Sequence, residues 1–115
     1  MLLKKKKKNL TIDTMKLVII TAIKEFEKSI KFQLKEADVT NFSYGEVIGY
    51  RDSTEESIES NWFSSEMNQT ESIVFYAFVK KENVDLLFNL VNDFNDKQKT
   101  VSKIHVAVLN IEKSN

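Results

Sequence analysis

The segment "ESIVFYAFVKK", Glu71 to Lys81, decides the fold. Successive side chains of a strand point to opposite faces. Ile73, Phe75, Ala77 and Val79 therefore share one face, and Val74, Tyr76 and Phe78 share the other. Both sets are apolar. A half-solvated strand alternates apolar with polar, so this one expects cover on both sides.

Working outward, "LVIITAI", Leu17 to Ile23, has the same character: short, β-branched and apolar on both faces. A helix is expected from about Lys24 to Ala37, with Phe26, Ile30, Leu34 and Ala37 on one narrow face. Phe32 falls off that face, as a small contact site or simple exposure. Phe42 to Tyr50 reads as a second strand. The polar, aperiodic residues 51–70 read as a long loop, and Glu71 to Val79 as a third strand. Residues 82–95 give a second helix, with Val84, Leu87, Phe88, Val91 and Phe94 on one face. "NDKQKT" is a polar turn, and Lys103 to Ile111 a fourth strand, in which Ile104, Val106 and Val108 oppose His105, Ala107 and Leu109. The order βαββαβ is the ferredoxin-like α+β arrangement: a four-stranded antiparallel sheet with two helices on one face. Its other face should be polar, yet strands one, three and four make it apolar. Such a patch binds a partner or aggregates unless covered, and other copies of the chain are the simplest cover.

Composition fits one regular domain. Of 115 residues 42% are hydrophobic, with two Gly and no Pro, so a wholly disordered chain is excluded. The absence of Cys removes disulfides, thiolate zinc sites and a cysteine nucleophile. The opening "MLLKKKKKNL" has no apolar stretch after its lysines, so it does not read as a signal peptide, and a cytoplasmic location is expected. Residues 1–14 hold five Lys and one Asp, while the rest hold twelve basic and sixteen acidic side chains. The domain pattern starts at Met15. Residues 1–14 thus read as a lysine-rich disordered tail or as an extension from a misassigned start.

The exposed-ring pattern of Tyr76 and Phe78 is close to that of an RNA-recognition motif, which has the same topology. That motif wants a basic residue and a Gly before its aromatic run, where Val74 and Phe75 stand here. The 51–70 loop carries Asp52, Glu55, Glu56, Glu59 and Glu66, with no Lys or Arg after Arg51. Such a rim repels phosphates, so no nucleic-acid partner is expected.

Nothing in the chain forms a Ser-His-Asp set, a Gly-rich phosphate loop or a paired buried carboxylate, and no enzyme activity and no catalytic or metal-binding residue is assigned. His105, the sole histidine, reads as a packed or interface residue. Glu55, Glu56 and Glu59 read as a solvated loop rather than a cation site. Arg51 can pair with an anionic ligand or with a neighbouring Glu. Trp62-Phe63 fits two roles: an anchor for a protein partner, or a cap folded over a cleft between subunits.

The most specific segment of the chain is "DVTNFSYGEVIGY", Asp38 to Tyr50. On it, and from Met15 onward, the chain resembles the nitrogen-regulatory PII signalling proteins, in a divergent branch outside nitrogen control. The family pattern there is Gly-(Ile/Val)-x-Gly-(apolar)-(Ser/Thr)-x-x-Glu-Val-x-Gly-(Phe/Tyr). Val39, Phe42, Ser43, Glu46, Val47, Gly49 and Tyr50 match it. Asp38 and Asn41 replace two glycines, and both residue types visit the left-handed region more readily than other non-glycine residues. "KIHVAVLNIEK", Lys103 to Lys113, is similar to the family's last strand.

The resemblance implies a homotrimer with inward-facing sheets and small-ligand clefts between subunits, in the family an adenine nucleotide. It also implies a long loop, here 51–70, that contacts a protein partner such as a membrane transporter. Ser43 and Gly49 would lie on the adenine and sugar side of such a cleft, with Arg51 beside them, and Lys103 would reach phosphates. No dedicated cofactor is expected. Three features depart from the family. The turn "NDKQKTVSK" before Lys103 has no glycine, the C-terminal arginines are missing, and the loop lacks the modifiable tyrosine context. ATP held in the usual manner is therefore not implied, whereas a smaller nucleotide or another anion is compatible. Two other readings fit the topology. One is a cofactor-free enzyme on a dimeric ferredoxin-like barrel, its pocket between sheet and helices lined by Tyr44, Tyr76 and His105. The other is a CutA-type, metal-tolerance-linked trimer.

Overall fold

The structure is a computed structural model that describes residues 15–50 and 69–115. Strand β1 spans Met15–Ile23 and passes through a single 3-10 turn, Lys24–Phe26, into helix α1, Glu27–Glu36. Strand β2 is Ser43–Tyr50, β3 is Gln69–Lys80, α2 is Lys81–Lys97 and β4 is His105–Asn110. Gln69 and Thr70, expected in the loop, are the first residues of β3, paired with Tyr50 and Gly49. Helix α2 also runs two residues beyond the expected end, to Lys97.

The sheet order is β2-β3-β1-β4, with every neighbouring pair antiparallel. Both helices cover one face. Val18, Ile20 and Ala22 of β1 and Ile73, Phe75, Ala77 and Val79 of β3 pack there against Ile30, Leu34 and Ala37 and against Leu87 and Val91. Val106 and Val108 of β4 join this layer. The alternation in Glu71–Lys81 is thus realised as read: Ile73, Phe75, Ala77 and Val79 belong to the core.

The exit from α1 fixes where β2 begins. Asp38 N–H donates to the Lys35 carbonyl (3.0 Å) and Val39 N–H to the Leu34 carbonyl (2.8 Å). Asp38 sits at φ 62°. This is a Schellman motif, whose left-handed position is most often glycine. Val39 and Leu34, which it brings together, are both buried. Asp38 therefore does replace a glycine conformationally. Asn41 does not, since Asp38 is the one described non-glycine residue with positive φ.

Phe75 is fully buried and stacks on Tyr44, with ring centroids 5.0 Å apart. Phe75→Ala is expected to destabilise the protein by roughly 3–5 kcal/mol in urea unfolding, the range for truncating a buried aromatic. Asp38→Gly should be neutral or stabilising by up to about 1 kcal/mol, and Asp38→Val clearly destabilising, because a β-branched residue tolerates positive φ worst.

Candidate functional site: the open sheet face and its edges

The β-pairing register defines what lies on the face without helices. Leu17 of β1 pairs with Phe78 on one side and Leu109 on the other, and Ile19 pairs with Tyr76 and Ala107. Directly paired residues share a face, so these six form two apolar rows across three strands. Tyr76 is 51% exposed, Phe78 59% and Leu109 42%. His105, paired with Thr21, stands on the same face and is exposed. Tyr44 pairs with Phe75 and lies on the helix side. Its hydroxyl accepts a hydrogen bond from Lys31 Nζ at 2.9 Å, and that ammonium lies 4.2 Å from the Tyr44 ring centroid. The Lys31 pKa is raised, first by its hydrogen bond to Glu27 and then by the one to Tyr44. Tyr44 thus sits across the sheet from Tyr76 and His105. The expected pocket lined by all three is not formed, because the register sets Tyr44 beside the core residue Phe75 and sets Tyr76 and His105 on the open face.

Ser43 opens β2 opposite Tyr76. With Thr40, Asn41, Tyr76 and Phe78 it lines a hollow of about 360 Å³ at the edge of the open face. Two aromatic faces, a hydroxyl and an amide are the components of a site for a flat polar molecule. Ser43 was expected on the adenine and sugar side of a cleft between subunits; Thr40 and Asn41, which line the hollow with it, were not read as site residues, their only signal being their position just before the strand. Gly49 is not part of the hollow. It lies six residues further along β2, roughly 20 Å at about 3.4 Å per residue. It is buried where β2 and β3 continue as a two-stranded ribbon. Lys103 precedes β4 at the opposite edge of the sheet, three strand spacings or about 14 Å away. A single chain therefore does not bring Ser43, Gly49 and Lys103 to one point. Arg51, Trp62 and Phe63 lie outside the described residues.

The turn before Lys103 is filled by side-chain amides. Gln98 Oε1 accepts from the Thr100 N–H at 2.8 Å, and Gln98 Nε2 donates to the Thr100 carbonyl at 2.7 Å and also to the Ser102 carbonyl. Asn95 donates to the Ile104 carbonyl (2.9 Å) and accepts the Ile104 N–H (2.8 Å). Lys103 Nζ donates to the Asn95 carbonyl at 3.1 Å, near the end of α2, where the helix dipole favours a cation. An anion at this turn would compete with Gln98 for the Thr100 N–H and with Asn95 for Lys103. The turn as built does not fit a polyphosphate.

At the base of the ribbon, Lys24 Nζ lies 3.2 Å from a Glu46 oxygen and 3.7 Å from a Glu71 oxygen. Its pKa is raised, chiefly by the hydrogen bond to Glu46. A raised lysine pKa means this contact is complete below the ordinary value of 10.5 and is lost only as pH climbs above it. Beyond the clamp Ile48 and Tyr50 stand 76% and 66% exposed.

No family model matches the chain, and no curated protein matches it. Solved structures do. A DUF3240 family protein from Shewanella baltica OS155 aligns with TM-score 0.61 at 14% identity, over 90% of this chain and 97% of that one. Arabidopsis thaliana PII bound to citrate aligns with TM-score 0.60 at 12% identity, over 85% and 78% of the two chains. The fold is that of the PII-like proteins. CPII, a nitrogen regulatory PII-like protein from Thiomonas intermedia K12 bound to ADP, AMP and bicarbonate, aligns with TM-score 0.56 at 15% identity, over 88% and 96%. At these identities the likeness is one of fold. In the PII-like frame, the ribbon of β2 and β3 leads into residues 51–68. Among the described residues no helix is long and apolar enough to cross a membrane.

Gln98→Ala should open the turn locally. With one side-chain acceptor lost, hydrogen exchange of the Thr100 amide should speed up by roughly five- to tenfold, while the amides of β1 stay protected. Unchanged Thr100 exchange would mean that Gln98 does not close the turn.

Proposed function

We propose that this chain is a PII-like regulatory protein rather than an enzyme, and that it works as a homotrimer. The observation that carries this reading is the open sheet face. Its two apolar rows include three large side chains that are each about half exposed in the single chain. Patches of that kind are covered in a functioning protein, and closed symmetric assembly of identical chains is the commonest cover. Joining β2 of one chain to the β4 side of the next would also bring the Ser43 hollow towards Lys103, which one chain keeps apart.

The ligand is a small polar molecule held in such a cleft. A flat ring would stack on Tyr76 and Phe78, with Asn41 and Ser43 supplying hydrogen bonds. Support comes from the lining of the hollow and from the small anions bound by the structural neighbours, namely citrate in one and ADP, AMP and bicarbonate in another. An adenine nucleotide remains in this class, but its phosphates are not the grip, because Gln98 and Asn95 occupy the turn. Occupancy would shift the population of ribbon conformations above the Lys24 clamp, and with it the ability of residues 51–68 to engage a protein partner, such as a transporter, through Trp62 and Phe63. The protein acts in the cytoplasm in this reading.

Three measurements test it. Phe78→Glu should convert the assembly to monomers in sedimentation velocity without unfolding the chain; an unchanged assembly would remove the sheet face from the interface. Calorimetric titration with AMP, ADP and ATP should give affinities that do not increase with phosphate number. A rise of about tenfold per added phosphate, 1.4 kcal/mol, would show that the turn opens to take them. Deleting residues 54–68 should leave the trimer folded and abolish partner capture.

A further inference from the structure

On the opposite side of the molecule from the open sheet face, α1 and α2 leave a groove of about 400 Å³ between them. Phe32, Leu90 and Phe94 give it an apolar lining, with Gln33 among them and Lys28, Asp93 and Lys97 as its charged members. Phe94 is held in place by an edge-on contact with Phe26, ring centroids 5.0 Å apart. Phe32 is 60% exposed, although it is large and apolar.

Gln33 is the unusual member. It is only 4% exposed, and its Oε1 has no hydrogen-bond partner among the described residues. A buried acceptor left unpaired costs roughly 1–3 kcal/mol. Methionine would fill a similar volume without that cost. The terminal amide turns about a soft torsion, so a small rotation presents Oε1 to the groove its side chain already lines. A partner helix would be poorly matched to this acceptor, because its backbone N–H groups are consumed internally. A small molecule with its own donor is well matched, and the groove volume falls in the range of small-ligand sites, roughly 300–1,000 Å³.

We propose that the groove between α1 and α2 binds a small molecule with a flat apolar body and one N–H or O–H donor. The donor pairs with Gln33 Oε1, and the body lies on Phe32, Leu90 and Phe94. A carboxylate on the ligand adds a contact to Lys28. That lysine makes no ion pair among the described residues, whereas Lys97 lies 3.6 Å from Asp93. The site is separate from the inter-subunit cleft and does not depend on the trimer.

The test is a nuclear magnetic resonance titration of the nitrogen-labelled full chain with indole, N-methylindole and indoleacetate. Indole is expected to give saturating shifts centred on the Gln33 side-chain amide and the backbones of Phe32, Leu90 and Phe94. N-methylindole lacks the donor and should bind about five- to tenfold more weakly, the worth of one neutral hydrogen bond. Indoleacetate should bind more tightly than indole, and Lys28→Met should erase that gain. Gln33→Met should bind indole and N-methylindole equally. Equal binding of the two indoles by the unmodified chain would overturn the proposal, as would shifts that fail to saturate or that map to the open sheet face. The unmodified-chain comparison stands even where a variant folds poorly.

Discussion

The rest of the structure depends on the double pairing of β1. It is hydrogen-bonded to β3 along one edge and to β4 along the other, and it is apolar on both faces. One face is satisfied within the chain, by Ile30, Leu34, Leu87 and Val91 reaching down from the helices. The second face, built around Leu17 and Ile19, has no layer over it among the described residues. Burial of apolar surface gains about 25 cal/mol per Å². Leaving this central strand wet on one side would forfeit much of what its composition offers. The described residues therefore leave one apolar face of β1 without a cover. The proposed assembly follows from that constraint, and the ligand cleft follows from the assembly.

The two edges of the sheet carry complementary halves of a site. At the β2 edge stand ring faces, an amide and a hydroxyl around the Ser43 hollow. On the β4 side stands a lysine at the end of a turn that is already closed on itself. A glycine-rich turn would leave backbone N–H groups free for an anion. Here the Gln98 amide stands in for one. In the proposed cleft, recognition would shift from charge at the turn to stacking and hydrogen bonding at the hollow, without any change of fold.

The fold was legible because its signals are redundant. The two-residue alternation of β1 and β3, the apolar faces of both helices and the βαββαβ order agree with one another, and each was realised within a few residues. The Asp38 turn was legible as well, since the left-handed position of a Schellman motif tolerates few residue types. What escaped notice depends on contacts between elements distant in sequence. No local pattern announces that Gln98 closes the following turn, that Lys24 ties the 3-10 turn to both strands of the ribbon, or that Gln33 Oε1 has no hydrogen-bond partner among the described residues. Tyr44 was placed with Tyr76 and His105 because all three are polar-tipped and lie in strands. Register, fixed by pairing with Phe75, puts it on the other side.

Native mass spectrometry of the full chain tests the central claim most directly. A species of three times the 13.4 kDa chain mass, persisting at low micromolar concentration, is what a sheet apolar on both faces predicts. A stable, well-folded monomer under the same conditions would contradict it, because the open face would then be tolerated by water without cover.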